Sequence, residues 1–312
     1  MDQIKASIYS KITWKLSGIS VQAKALFILF IAIIIWGGNW PIMKLGLNHV
    51  TPFWFSMLRF ALGGATLFIF QIATGKLYYP KKKDLLLIFS IGFLQMMVFT
   101  VLGTIAMTQV DAGRSAVLAY TTTLWVIPLS LIFFRESLSK KQLLGGSLGL
   151  AGVILLFNPF TFSWGNQDLL IANGLLLLAA FCWSLCILHL QYTKSEATAY
   201  QLAPWQMLTA TIPLVFISYL IEGPFTGDGS ATFWQVCIYL GPLATAFCFC
   251  AVNGVSKYLS STSISTAMLG VPVFGLLFSR LFLGEVIGFT LIIGVVLISL
   301  GVFVVIMSTK KS

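Results

Sequence analysis

The sequence predicts an all-α integral membrane protein, with ten transmembrane helices arranged as two inverted five-helix repeats. Three observations predict it. The residues are 58% hydrophobic and only 9% charged, against roughly 25% charged in an average soluble domain. The apolar residues fall in runs of ~20, the length that crosses ~30 Å of hydrocarbon. The basic residues collect on alternate loops, as they do on the retained side of a membrane.

The elements follow in order. A basic arm, residues 1–24, places Ile4, Ile8, Ile12, Leu16 and Ile19 at helical spacing with Lys5, Lys11 and Lys15 between them. That pattern suits a helix lying on an anionic cytoplasmic membrane face, and a disordered leader fits the same residues. The first apolar run begins near Ala25, has no small-residue cleavage site and leads straight into Trp36, Asn39 and Pro41. It is read as a retained span and not as a signal peptide. Candidate spans lie at 25–46, 52–74, 84–107, 113–134, 141–158, 168–192, 201–221, 232–256, 263–283 and 286–308. Turn chemistry separates them, as at Thr51-Pro52, Pro80-Lys81-Lys82-Lys83-Asp84, Asn158-Pro159, Glu222-Gly223-Pro224 and Gly227-Asp228-Gly229.

Ten spans put both termini on one side. Of the 19 basic residues, 15 then fall on that side, the exceptions being Lys44, Arg59, Arg114 and Arg280. Basic loops stay cytoplasmic, so the termini are expected in the cytoplasm of a cell (inner) membrane. The chain also repeats weakly. A shift of 149 lays Phe133 on Phe282, Glu136 on Glu285, Gly145 on Gly294 and Gly152 on Gly301, and a shift of 147 lays Trp36 on Trp183. The repeats are drawn at 25–160 and 161–308, with 309–312 as a cytoplasmic tail. Five helices is an odd number, so the halves face opposite ways, an arrangement that places a substrate site near the midplane between them.

Candidate site residues come from polar and aromatic groups inside spans. Arg59 lies about seven residues into the second span, ~10 Å below its boundary at ~1.5 Å per residue. A charge at that depth is costly and faces a cavity or a partner. Lys44, Arg114 and Arg280 sit nearer the outer ends of their spans, and all four cations suit capture of a carboxylate or phosphate. Snorkelling or pairing is the alternative, with Asp111 three residues before Arg114 and Glu285 five after Arg280. Trp36, Asn39 and Met43 share one face of the first helix, which Pro41 is expected to interrupt. Trp183 and Cys186 repeat that spacing in the sixth span, with His189 one step round. His189 suits a proton relay or a neutral hydrogen bond. Tyr120, in the patch Tyr120-Thr121-Thr122-Thr123, and Asn253 complete the substrate-binding candidates.

Other chemistries find little support. The net charge of +10 is explained by loop lysines, and no nucleic-acid motif is present. Cys182, Cys186, Cys237, Cys248 and Cys250 lie in apolar runs without metal-ligand spacing, so neither metal, disulfide nor cofactor is expected. Gly145-Gly146-Ser147-Leu148-Gly149 matches G-x-S-x-G, but a nucleophile elbow needs a strand-to-helix turn. Here the glycines are spaced for close helix packing. No catalytic residue is assigned.

The stretch Trp36-Gly37-Gly38-Asn39-Trp40-Pro41-Ile42-Met43-Lys44-Leu45-Gly46, followed by Pro52 and Leu58-Arg59-Phe60, resembles the opening of EamA-type proteins of the drug/metabolite transporter superfamily. Leu124-Trp125-Val126, Arg135-Glu136-Ser137-Leu138-Ser139 and Gly145 resemble the end of that family's first repeat, and Pro272, Gly284-Glu285 and Gly294 the end of its second. Thr123 departs from the pattern where proline is common, and the arm is long. The resemblance covers residues 25 to 308 and implies ten helices, inverted repeats and movement of small metabolites such as amino acids. It also implies a central cavity within reach of Trp36, Asn39, Tyr120, Trp183 and Asn253, with Arg59 less central. The expected function is a secondary permease with a small-molecule substrate, working by alternating access. A membrane enzyme or a non-transporting membrane partner is the alternative, and a homodimer is compatible with either.

Overall fold

The structure is a computed structural model that describes residues 20–134, 139–157, 167–193, 195–256, 258–259, 264 and 267–308. Side chains at 123, 134, 157, 191, 192, 253, 306 and 308 fall outside that description, as do most of the basic arm, Glu136 and the tail. Among the described residues the regular elements are all helical. We number them α1 (Val21–Gly46), α2 (Pro52–Ala73), α3 (Lys82–Met107), α4 (Ala112–Ala119), α5 (Thr122–Phe134), α6 (Lys140–Phe157), α7 (Gln167–Tyr192), α8 (Ala199–Glu222), α9 (231–255), α10 (Gly270–Leu283) and α11 (Phe289–Ser308).

Local chemistry sets the boundaries. Ser20 accepts a hydrogen bond from the Ala23 N–H at the start of α1, Ser230 does the same from Phe233 before α9, and Thr198 with Gln201 forms a capping box on α8. Pro52 opens α2, where a missing N–H costs nothing. Gly284 ends α10 at φ 69°, a left-handed conformation that a side chain would disfavour. α1 runs unbroken through Pro41, contrary to the expected interruption. The break comes instead at Tyr120-Thr121, between α4 and α5, where the Thr121 hydroxyl donates to the Leu118 carbonyl at 2.7 Å.

Seven helical stretches among the described residues are long and apolar enough to cross a membrane: Val21–Gly46, Pro52–Ala73, Lys82–Met107, Ala112–Phe133, Gln167–Leu190, Ala199–Glu222 and Ala231–Val252. Gly270–Leu283 and Phe289–Val305 are shorter apolar helices. Large apolar side chains such as Phe27, Ile69, Ile132, Leu220 and Phe282 point outward. Water would penalise such a belt, and lipid hydrocarbon accepts it.

Packing pairs each element of one half with an element of the other. α2 and α8 run antiparallel, with Gln71 Nε2 donating to Tyr200 O at 2.8 Å and Trp54 Nε1 to Gly223 O at 3.2 Å. α6 and α11 also run antiparallel. A Cβ built on Gly301 would lie 2.5 Å from the Gly145 carbonyl oxygen, and one on Gly152 would lie 2.8 Å from that of Gly294. α1 meets α10 where a Cβ on Gly37 would clash with Phe274, and α7 meets α5 through Phe181 against Trp125, rings 5.5 Å apart.

α3 and α9 each contain a π-helical segment, Ile91–Val98 and Tyr239–Phe247. The first presses Gly92 onto the Gln206 carbonyl of α8, and the second presses Gly241 onto the Arg59 carbonyl of α2. Gly92 and Gly241 are 149 residues apart, and Arg59 and Gln206 are 147 apart. Those are the two shifts seen in the sequence.

Candidate functional site

Arg59 is the natural starting point, because its charge is the hardest to house. Pro52 and the Glu222 carboxylate fix where α2 begins. Glu222 accepts from the Phe53 N–H at 3.0 Å, the Trp54 N–H at 3.1 Å and the Thr51 hydroxyl at 2.5 Å. An anion at a helix N-terminus satisfies donors that the helix itself cannot. Seven residues on, the half-buried Arg59 points toward α9. Its Nε donates to Thr245 Oγ1 at 2.9 Å and its Nη1 to Met43 Sδ at 3.2 Å, and its Cζ lies 5.9 Å from the Phe60 ring centre. All of these partners are neutral. Among the described residues the ion pairs are His49–Asp228, Lys81–Glu196 and Lys83–Glu196, and Arg59 joins none.

Met43 links Arg59 to Asn39. The Asn39 amide donates to the same sulfur at 3.0 Å, while its Oδ1 is buried with no hydrogen-bond partner. A cation with neutral partners and an unused acceptor thus flank one thioether. This arrangement can take an acidic group on one side and a donor on the other.

Aromatic side chains lie beside this group. Trp36 Nε1 donates to the Ala244 carbonyl at 2.7 Å, next in the chain to Thr245. The Tyr239 hydroxyl donates to Ile35 O at 2.7 Å, so two bonds tie α1 to the π-helical segment of α9. Trp183 of α7 meets Phe99 edge-on at 4.7 Å and Tyr120 at 6.5 Å. Tyr120, at the end of α4, packs with Trp36 and Phe274 around buried Val255 and Val271. A chain of contacts thus runs from Asn39 through Met43, Arg59, Thr245 and Ala244 to Trp36, and from Trp36 through the Tyr120 cluster to Trp183.

The other sequence candidates lie elsewhere. Lys44 Nζ is occupied by the carbonyls of Met107 and Val110 at the end of α3, the second at 3.0 Å. Arg114 donates to Leu156 O at 2.6 Å near the end of α6, and Arg280 to Glu285 O at 3.2 Å. These cations meet carbonyls, and Arg114 and Arg280 do not take up the carboxylate pairing offered as their alternative, since a helix C-terminus offers unsatisfied acceptors and a negative dipole. The Glu285 carboxylate is itself engaged by the Ala112 N–H at 2.7 Å and the Gly113 N–H at 3.0 Å, which caps α4. His189 Nδ1 lies 2.6 Å from Ser90 Oγ, between α7 and the start of α3 and away from Arg59. The Asn253 side chain is outside the described residues. Thr245, Tyr239 and the capping role of Glu222 escaped the sequence reading. Only Glu222 left a signal there, in the Glu-Gly-Pro that closes its helix.

Two polar clasps tie together the segments that flank α2 and α8. At one end Glu196 meets Lys83 at 2.5 Å and Lys81 at 3.4 Å, and these lysines hold its carboxyl below the usual range. At the other end His49 Nδ1 meets Asp228 at 2.6 Å, and with the Ser230 N–H it pulls the Asp228 carboxyl down to about 2.

Comparison with known proteins places this geometry in a family. The chain is 26% identical over 270 residues to the uncharacterized transporter YoaV of Bacillus subtilis, covering 86% of this chain and 92% of that one. It is 29% identical over 258 residues to the uncharacterized transporter YdfC of the same organism, covering 81% of each. A Salmonella typhimurium protein named "probable amino-acid metabolite efflux pump" is 26% identical over 291 residues, covering 89% of this chain and 93% of its own. A solved crystal structure with 20% identity matches the fold with a TM-score of 0.62, over 92% of this chain and 97% of that one. The model of the EamA-like transporter family matches twice, at residues 23–158 and 170–307, and the chain belongs to that family.

Proposed function

We propose that the protein is a secondary transporter that moves a small amphiphilic or anionic metabolite, such as an amino acid, by alternating access. In this reading ten spans form two inverted five-helix repeats, 25–160 and 161–308, in a cell inner membrane with cytoplasmic termini. The observation that carries it is Arg59, a cation with only neutral partners, reaching across to Thr245 of the other half and sharing Met43 with Asn39. Arg59 would take the acidic group, Asn39 Oδ1 a donor, and Trp36, Tyr120 and Trp183 the apolar body. The antiparallel pairing of α2 with α8 and of α6 with α11 supports the inverted arrangement, because equivalent helices related by an axis in the membrane plane must run opposite ways. The relatives named as amino-acid metabolite efflux pumps support the substrate class. Lys44 and His189, spent on helix ends and on Ser90, are given supporting roles.

The test is a mass-spectrometric screen of a metabolite pool against purified protein in liposomes, repeated with an imposed pH gradient. Retention or transport of carboxylate-bearing amphiphiles is the expected result. A protein that moves no metabolite under either condition removes this reading.

A further inference from the structure

Thr245 touches both halves at once. Its hydroxyl donates to the Leu240 carbonyl, five residues back, at 2.7 Å, and accepts from Arg59 Nε at 2.9 Å. A five-residue reach is the hydrogen-bond spacing of a π-helix, so the hydroxyl duplicates the bond that defines the Tyr239–Phe247 segment. A hydroxyl has one hydrogen to give, and giving it to Leu240 turns its lone pairs toward Arg59. Arg59 also contacts this segment through its main chain, since its carbonyl oxygen would lie 3.2 Å from a Cβ on Gly241. Arg59 thereby fastens α2 of the first half to the π-turn of the second.

We propose that Thr245 is a positioning residue that stands in for the anionic group of the substrate. An arriving carboxylate takes Arg59 away from Thr245, and the released π-turn is then free to rearrange. This couples loading to movement of α9. The inference rests on the transport reading above and adds the device by which binding is sensed. A carboxylate meets the guanidinium with a full opposite charge and two acceptor oxygens in a fork that matches its donors, where the hydroxyl offers one neutral oxygen, so the carboxylate wins the exchange. Without it, Thr245 still satisfies an otherwise poorly housed donor. A ligand shifts a conformational equilibrium only by its differential affinity for the two states. Competition for one Nε–H supplies that difference, and an amine of the same shape lacks it.

The experiment uses the full chain in liposomes, with L-leucine as the carboxylate probe and isopentylamine as the same body without the carboxylate. Backbone hydrogen exchange is read across 239–247, and transport is read in parallel. T245V removes the hydroxyl at nearly constant shape, T245S keeps it, and R59K removes the Nε donor from the other end should T245V not assemble. The expected result is faster ligand-free exchange in T245V and R59K, with T245S like the unsubstituted protein. L-Leucine should speed exchange in the unsubstituted protein but not further in T245V, and isopentylamine should do neither. The apparent KM for leucine should fall about two- to tenfold in T245V without a matching gain in kcat, the scale of one hydrogen bond. Equal exchange in all four proteins, with leucine transport intact, overturns the latch and leaves the transport reading standing. If leucine neither binds nor moves, the ligand-free comparison decides alone. A protein inert toward every metabolite in the liposome screen removes both.

Discussion

Arg59 and Gln206 occupy matching places in the two halves and do different things there. Each sets its carbonyl against a glycine in the first turn of a π-helical segment of the opposite half, Gly241 and Gly92 respectively. The backbone contact is shared, but the side chains diverge. Arg59 reaches across to Thr245 and Met43, while Gln206 is buried with its Oε1 unpartnered. The aromatic pair diverges as well: Trp36 hydrogen-bonds the π-segment of α9, whereas Trp183 stacks edge-on against Phe99 and Tyr120. The symmetric part of the molecule is backbone packing, and the asymmetric part is the side-chain chemistry at these matched positions.

The sharpest way to break this contrast is to make the two positions alike. R59Q should lower kcat/KM for a carboxylate-bearing substrate by roughly ten- to a hundredfold, since hydrogen bonds to charged groups are worth about 1.5–3 kcal/mol. Proteoliposome transport measures this, and near-normal transport would show that the charge belongs to packing. Next in size is a test of the shared part. G301A and G152A each place a methyl against a main-chain oxygen of the opposite helix, at 2.5 and 2.8 Å. Each should cost about 1–3 kcal/mol of stability, as overpacking does. The readout is melting temperature in detergent, with G301A the worse of the two.

A smaller effect separates the tryptophans. W36A loses a hydrogen bond that W183A does not, so its transport should be weaker by about two- to tenfold beyond the shared loss of aromatic surface. Equal defects would mean that the indole bond to Ala244 is idle. The smallest effect is acid sensitivity at the His49–Asp228 clasp. A carboxyl held down at about 2 in the folded protein contributes stability above its ordinary range near 3.8 and loses it as the pH falls through about 2. Melting curves for D228N should therefore be flatter than those of the unsubstituted protein over that acid window, and parallel curves would dismiss the clasp.

The helices were legible in proportion to their continuity. Spans such as Pro52–Ala73 and Ala199–Glu222 read directly as apolar runs, marked by Pro52 at the start of one and Glu222-Gly223-Pro224 at the end of the other, because both signals are local. Pro41 misled, since a proline announces a lost hydrogen bond but not whether the helix bends around it. The break at Tyr120-Thr121 and the two π-segments left no local trace. They depend on what packs against them, as Gly92 and Gly241 do. In the site, Trp36, Asn39 and Trp183 were legible from helical spacing within one element. Thr245 was not, because its role arises only when Arg59 arrives from 186 residues away. The cations taught a similar lesson: Asp111 offered a nearby alternative partner for Arg114, and folding instead supplied carbonyl ends of distant helices to Arg114 and Lys44.

The glycine seam between α6 and α11 has an evolutionary consequence. Exchanging the two halves sends the Gly145–Gly301 contact onto Gly294–Gly152, so the seam maps onto itself. Self-complementary surfaces of this kind need only one ancestral helix, able to bind a second copy of itself pointing the other way.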